Sequence, residues 1–327
     1  MVLLIDLLWL AAGLVALYFG AEWLVNGAAK LAVRYGISPL VVGLTVVAFG
    51  TSAPELFVSI GFNARGFPDM AMGNVIGSNI CNIGLVLGVS AFICVLHVKS
   101  AILLRDLPIL MIATLIFSVM LWNGGIGRGE GIVLFAGILA YTTFQLILAK
   151  KEKNPEVLAE FAEEFDPAGA KATAVWKLAV AILGGLVALY FGAQWLEKGG
   201  VSLARSFGVP EAVISLTLIA FSTSVPELAT SIVASLKKEG DIITGNIIGS
   251  CIFNLLCVIG VTSMLGPIVT SQIEMVDLYV MIAMTALLIP VMGRKRRIGR
   301  WDGALLLACY VGYTAFLWFD RVAVTTA

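Results

Sequence analysis

Two carboxylates stand where charge is expensive. Glu55 and Glu227 each follow a proline inside an otherwise apolar stretch, in the segments GTSAPEL (Gly50–Leu56) and STSVPEL (Ser222–Leu228). A charge near a bilayer centre costs about 3 kcal/mol on insertion scales, so such a residue needs a partner, a wet cavity or a bound cation. No Lys or Arg lies within either stretch or the apolar one that follows it. Other oxygens recur at helical spacing: Ala48, Ser52, Glu55 and Ser59 fall on one stripe, and Ala220, Ser224, Glu227 and Ser231 on another. Thr51 and Thr223 lie one turn before the glutamates, while Asn74, Ser78, Asn82 and Asn246, Ser250, Asn254 repeat every four residues. Pro54 has no N–H for the carbonyl of Gly50, and Pro226 none for that of Ser222, so both helices must break there. Carbonyls near Ala48 and Ala220 are thereby loosened, which at membrane depth is tolerated only against protein or a water-filled cavity.

The inventory is one of hard oxygen donors: two carboxylates, amide oxygens, hydroxyls and loose carbonyls. It suits Na+ or Ca2+, which takes six to eight oxygens, and offers little to a soft transition metal. Two carboxylates neutralise one Ca2+ or two Na+. The polar stripes, and the glycines Gly73, Gly77, Gly245 and Gly249, could equally serve close helix packing.

The elements that must position these groups come as a repeat. GLVALYFGAEWL (Gly13–Leu24) returns as GLVALYFGAQWL (Gly185–Leu196), an offset of 172. The same offset carries Thr51–Leu56 onto Thr223–Leu228 and Gly73–Ser78 onto Gly245–Ser250, with Arg128 and Arg300 in register after a one-residue slip and recovery. Each copy contains five apolar segments, near 3–26, 38–62, 70–96, 105–123 and 129–149, then 174–197, 209–236, 241–266, 275–293 and 301–319. A second copy of an odd-numbered unit enters the membrane from the opposite side, the inverted repeat of transporters. The expected organisation is a first repeat over 1–149, a hydrophilic linker over 150–173 and a second repeat over 174–327. The fold class is all-α integral membrane, with ten transmembrane helices and helices 2 and 7 broken at the midplane.

Composition excludes a soluble chain. Of 327 residues 60% are hydrophobic and 13% charged, against about 25% charged in soluble domains. Runs such as 70–98 and 242–273 carry no charge at all, and about 20 apolar residues suffice to span a bilayer. Net charge is zero, which excludes a nucleic-acid footprint of high pI. Met1–Leu10 reads as the start of a spanning helix, because a cleaved signal would carry a basic n-region. Counted by alternate loops, 16 of the 21 Lys and Arg fall on the side of the linker, placing the linker in the cytoplasm and both termini outside. Trp23, Trp122, Trp195, Trp301, Trp318 and Tyr310 read as interfacial anchors. The five cysteines form no CxxC pair, and the single His97 belongs to no HExxH motif. The acidic linker (Glu152, Glu156, Glu160, Glu163, Glu164, Asp166) lacks EF-hand spacing and reads as a solvated helix.

These motifs resemble a known family. GLTVVAFGTSAPELFVSI with GNVIGSNICNIGLVLG, and SLTLIAFSTSVPELATSI with GNIIGSCIFNLLCVIG, are similar to the two α-repeats of sodium/calcium exchangers of the prokaryotic type, within the calcium/cation antiporter superfamily. The resemblance spans nearly the whole chain. It implies alternating access, with the first and sixth helices sliding as gates across the motif-bearing four. It implies a metal site of Glu55, Glu227, Thr51, Ser52, Thr223, Ser224, Ser78, Ser250, Asn82 and Asn254, with the carbonyls of Ala48 and Ala220. Ca2+ and Na+ are then transported substrates and no cofactor is expected. Family members commonly move three Na+ inward for one Ca2+ outward. Ser222, standing where the first repeat has Gly50, predicts a seventh helix that unwinds less freely. The amides Asn82 and Asn254, where some relatives carry Asp, leave two titratable carboxylates.

The expected activity is therefore antiport that extrudes Ca2+ across a plasma (inner) membrane, by a multi-pass protein with no obligatory protein partner and no nucleic acid. A Ca2+/H+ or K+-dependent antiporter of the same superfamily is the nearest alternative. An intramembrane acid–base enzyme or a passive channel is the alternative from another class; no GxGD signature supports the first.

Overall fold

The protein is described here by a computed structural model covering residues 2–122, 124–151, 173–207, 220–269 and 275–319. The acidic linker residues and the first part of the expected seventh segment, 209–219, lie outside the described residues. Among the described residues ten helices follow in order. In the first repeat these are α1 (Val2–Tyr35), α2 (Pro39–Ala64), α3 (Pro68–Ile93), α4 (Ile102–Trp122) and α5 (Arg128–Lys151). In the second they are α6 (Val175–Ser206), α7 (described as Ala220–Thr223 and Val225–Leu236), α8 (Gly240–Leu265), α9 (Met275–Gly293) and α10 (Arg300–Leu317).

α1 and α6 outrun their expected segments 3–26 and 174–197. At 34 and 32 residues and about 1.5 Å per residue, each is close to 50 Å long. Hydropathy falls at Asn26 and Lys30, and at Glu197 and Lys198, but no proline follows within either helix and Gly27, Gly199 and Gly200 are held in helical backbone; α1 ends where Gly36 turns the chain with φ 62°. Trp23 and Trp195 consequently lie within their helices, not at the ends as expected, with Trp195 packed on Trp9 at 6.0 Å between ring centroids. Tyr310 likewise lies within its helix and not at an end, its Cβ over Gly84, so close that a methyl group there would collide with it.

α1 and α6 form one antiparallel pair. Hydrophobic burial does not drive helices together in lipid, so close backbone approach must. Glycines spaced seven apart on both helices permit it. A Cβ at Gly13 would lie 2.8 Å from the backbone of Leu196, one at Gly20 2.9 Å from Gly185, one at Gly185 2.7 Å from Gly20, and one at Gly192 2.9 Å from Leu17. The pairing maps onto itself when the two repeats are exchanged. Most of this pair faces lipid, whereas the apolar window of α8 is buried along its full length, as a helix apolar all round must be.

Single π turns interrupt the inner helices. One spans Gly43–Val47 in α2; two more start at the equivalent asparagines, Asn82–Val86 in α3 and Asn254–Val258 in α8. Such turns mark functional segments of helices. A fourth, Ile102–Asp106, opens α4 and absorbs one extra residue. It coincides with the slip in the repeat: Asp106 and Asp277 are 171 apart, while the tyrosines that donate to them, Tyr141 and Tyr313, are 172 apart.

Two-residue ribbons tie the repeats together at opposite ends of the bundle. β1 (Leu96–His97) pairs antiparallel with β4 (Arg297–Ile298), and β2 (Gly125–Ile126) with β3 (Ile268–Val269). They are copies of each other, down to the residue that closes the next helix: Gly127 N–H donates to Glu130 at 2.7 Å and Gly299 N–H to Asp302 at 2.9 Å.

Candidate functional site

α2 and α7 break at a single residue each. Ser52 has φ −89° and ψ 6°, Ser224 φ −89° and ψ 1°, with the proline in the first turn of the next helical piece. With Ser222 standing where the first repeat has Gly50, the dihedrals at the two breaks still match within a few degrees. Ser222 differs by what it touches: its hydroxyl donates to Glu197 on α6 at 2.8 Å. At Gly50 the equivalent space is filled by Leu186 of α6, whose methyl groups a Cβ would strike.

The broken segments are stitched across the repeats. Thr51 Oγ1 donates to Asn246 Oδ1 at 3.2 Å, and Thr223 Oγ1 donates to Asn74 Oδ1 at 3.2 Å. Asn74 turns its amide N–H onto Ser59 Oγ at 3.0 Å and the carbonyl of Glu55 at 3.4 Å. Ser52 Oγ donates to Glu227 Oε1 at 2.8 Å, and Ser250 Oγ reaches the same oxygen at 3.5 Å. The carbonyl of Ala48, expected to be loosened, keeps its helical bond from Ser52 N–H at 3.0 Å and also accepts from Thr51 Oγ1 at 3.4 Å and Ser250 Oγ at 3.5 Å; the carbonyl that Pro54 deprives of its donor is that of Gly50.

Glu55 and Glu227 are both 0% exposed. Among the described residues neither oxygen of Glu55 has a hydrogen-bond partner, and Glu227 Oε2 has none. The hydroxyls of Ser78 and Ser224, both amide atoms of Asn82 and Oδ1 of Asn254 are likewise buried without partners. Among the described residues no Lys or Arg pairs with either glutamate. Buried polar groups are ordinarily satisfied, and an unpartnered buried charge is strongly unfavourable. So many orphaned oxygens beside two carboxylates fit a hard cation as their missing partner.

Of the twelve residues expected at the site, Ala48, Thr51, Ser52, Glu227 and Ser250 form one connected cluster, with Thr223 joined to Asn74. Glu55, Ser78, Asn82 and Ser224 are buried with free polar atoms. The π turn that starts at Asn82 packs on the half of α7 carrying Glu227, and the one at Asn254 on the half of α2 carrying Glu55. Asn254 is also linked through its amide N–H to Asn79 Oδ1 at 3.4 Å. Ala220 opens the described part of α7. The expected set omitted Asn74 and Asn246, which hold the threonines; their place on the four-residue stripes was the available signal. It also omitted Glu197, which only the packing of α6 reveals.

Comparison with known proteins agrees with this architecture. The profile of the sodium/calcium exchanger protein family matches residues 5–147 and again 177–319. CaxA of Alkalimonas amylolytica, whose name assigns it provisionally as an antiporter, is 37% identical over 96% of this chain and 99% of its own. The sodium/calcium exchanger MaX1 of Methanosarcina acetivorans is 28% identical over 96% of this chain and 99% of its own. A solved structure of the sodium-calcium exchanger NCX_Mj, soaked with Na+ and Sr2+, superposes with a TM-score of 0.82 at 30% identity, covering 96% of this chain and 99% of that one. The chain belongs to the sodium/calcium exchanger family, and is a multi-pass cation/Ca2+ antiporter and not an enzyme.

Proposed function

We propose that this protein exchanges Na+ for Ca2+ at one site shared by the two ions, and that it extrudes Ca2+. The observation carrying the reading is the pair of fully buried glutamates with no basic partner among the described residues, three of whose four oxygens are unpartnered. Glu55 and Glu227 are the charged ligands; Thr51, Ser52, Thr223, Ser224, Ser78 and Ser250 supply hydroxyls, Asn82 and Asn254 amide oxygens, and Ala48 and Ala220 carbonyls. Two carboxylates balance one Ca2+ or two Na+, so the loads compete on equal charge terms. The membrane is the plasma membrane, with the linker cytoplasmic and both termini outside, as the 16-to-5 division of basic residues supports. No cofactor takes part.

The test loads proteoliposomes with Na+ and follows 45Ca2+ uptake on dilution into Na+-free buffer. Uptake that requires internal Na+, and falls at least about a hundredfold in Glu55→Gln and in Glu227→Gln, is the expected result; one lost charge in a low-dielectric site is a change of several kcal/mol. Uptake driven by a pH gradient alone, at clamped voltage, replaces Na+ by H+ as the coupling ion.

A further inference from the structure

The two ribbons have one backbone and opposite chemistry. In register, Trp122-Asn123-Gly124-Gly125-Ile126-Gly127-Arg128 of one becomes Arg294-Lys295-Arg296-Arg297-Ile298-Gly299-Arg300 of the other. A turn that glycine builds on one face of the membrane is thus built from cations on the other. Arg294, Lys295, Arg296, Arg297 and Arg300 are all exposed.

Backbone geometry makes the substitution costlier than composition alone. Among the described residues the two non-glycine residues with positive φ are Arg296 (49°) and Lys238 (60°). Their repeat equivalents are Gly124 (87°) and Gly66 (82°). Left-handed backbone is natural for glycine and strained for a side chain. At both such turns on the same face, strain is tolerated to present a cation. The turns adjoin: a Cβ on Gly240, two residues after Lys238, would lie 3.9 Å from His97 N in β1, which pairs with β4. Arg296 is fixed there, its carbonyl accepting from Val98 N–H at 2.8 Å and its Nη1 donating to Ser100 Oγ at 2.8 Å.

The nearby carboxylates are already engaged. Asp241 is paired with Lys99 at 2.6 Å, Asp302 caps Gly299, and Glu239 is buried and bonded. Membrane orientation does not need this many charges either. Removing Lys238 and Arg294–Arg297 from the basic side would still leave it far ahead of the other. Strain held at an exposed turn points to a ligand, and the position of the turn says which. Both ribbons join membrane-spanning helices, and Trp301, the residue after Arg300, is 89% exposed. A tryptophan so placed belongs in the headgroup layer.

We propose that Lys238, Arg294, Lys295, Arg296, Arg297 and Arg300 form a binding site for the phosphate headgroup of an anionic phospholipid. The site needs the ribbon to lie at a membrane face and is independent of which ion drives exchange. Juxtamembrane cations of this kind attract anionic headgroups.

The experiment is native mass spectrometry of the full chain from mixed micelles containing equal phosphatidylglycerol and phosphatidylcholine. The expected result is preferential retention of phosphatidylglycerol, reduced by about tenfold or more in R294Q/K295Q/R296G/R297Q. The double variant K238G/R296G should unfold at a higher temperature, because glycine relieves both turns, and yet lose part of the lipid preference. A purely structural role for the turns would raise stability and leave lipid retention unchanged, which overturns the proposal. Equal retention of the two lipids also overturns it, as does displacement by millimolar glycerol phosphate, which would make the site one for a free phosphate ester. If the fourfold variant does not fold, the double variant decides alone.

Discussion

The two halves of the cation site carry the same side chains in different states. Ser52 and Ser250 both reach Glu227, whereas among the described residues their repeat equivalents Ser224 and Ser78 have no hydrogen-bond partner, and neither does the carboxylate of Glu55. Every one of these residues has an identical counterpart 172 positions away. The difference therefore lies in the conformation and not in the residues. It teaches which half is readied for an incoming ion: the oxygens of Glu55, Ser78, Ser224 and Asn82 have no internal bonds to give up, while Glu227 must exchange a hydroxyl for a cation. A second asymmetry lies outside the site. Lys237, at the end of α7, holds Glu22 at 3.1 Å and Asn26 at 2.6 Å on α1. Among the described residues its counterpart Arg65 bonds its own helix instead, through Gly61 O at 2.9 Å, and Gln194 and Lys198 stand where Glu22 and Asn26 would be needed.

Glu55→Gln should break the first contrast most visibly. Removing a buried charge that has no partner should stabilise the ion-free protein by about 2–3 kcal/mol, read as a higher unfolding temperature in Ca2+-free detergent. Glu227→Gln, which weakens the bond from Ser52, should gain clearly less. Equal gains would mean the two carboxylates are not in different states. Next in size, Ser52→Ala should destabilise the ion-free protein by about 1.5–3 kcal/mol, the range for a hydrogen bond to a charged group, and Ser224→Ala by close to nothing. If the halves exchange states during transport, the two variants should nevertheless lower Ca2+ affinity alike. Lys237→Gln removes a pair whose members are about a third exposed. Its effect should stay below about 1 kcal/mol and shrink in high salt, visible as a small salt-dependent drop in unfolding temperature that Arg65→Gln does not share.

Much of this arrangement was legible in the chain. The offset of 172 exposed the repeat, the odd helix count its inversion, and Pro54 and Pro226 the breaks, because each rests on a local rule. The hydrogen bonds from Thr51 to Asn246 and from Thr223 to Asn74 were not legible, since they depend on how the two copies interleave. For the same reason Asn74 and Asn246 looked like members of a stripe and not like anchors. The true lengths of α1 and α6 were hidden because Asn26, Lys30 and Glu197 lower hydropathy without interrupting helical backbone. The ribbons escaped notice because two residues of pairing leave no periodicity to read.

The glycine-lined pair of α1 and α6 has one more consequence. A pair that maps onto itself when the repeats are exchanged has no preferred direction of its own. Any shift along the shared axis toward one membrane face has a twin toward the other, equal in contacts made and lost. The two end positions of such a slider are degenerate by construction. What sets their populations is the short roster of residues that break the symmetry, among them Gly50 against Ser222 and Lys237 against Arg65. In that light duplication supplies a balance with equal arms, and later substitutions are the weights placed on it.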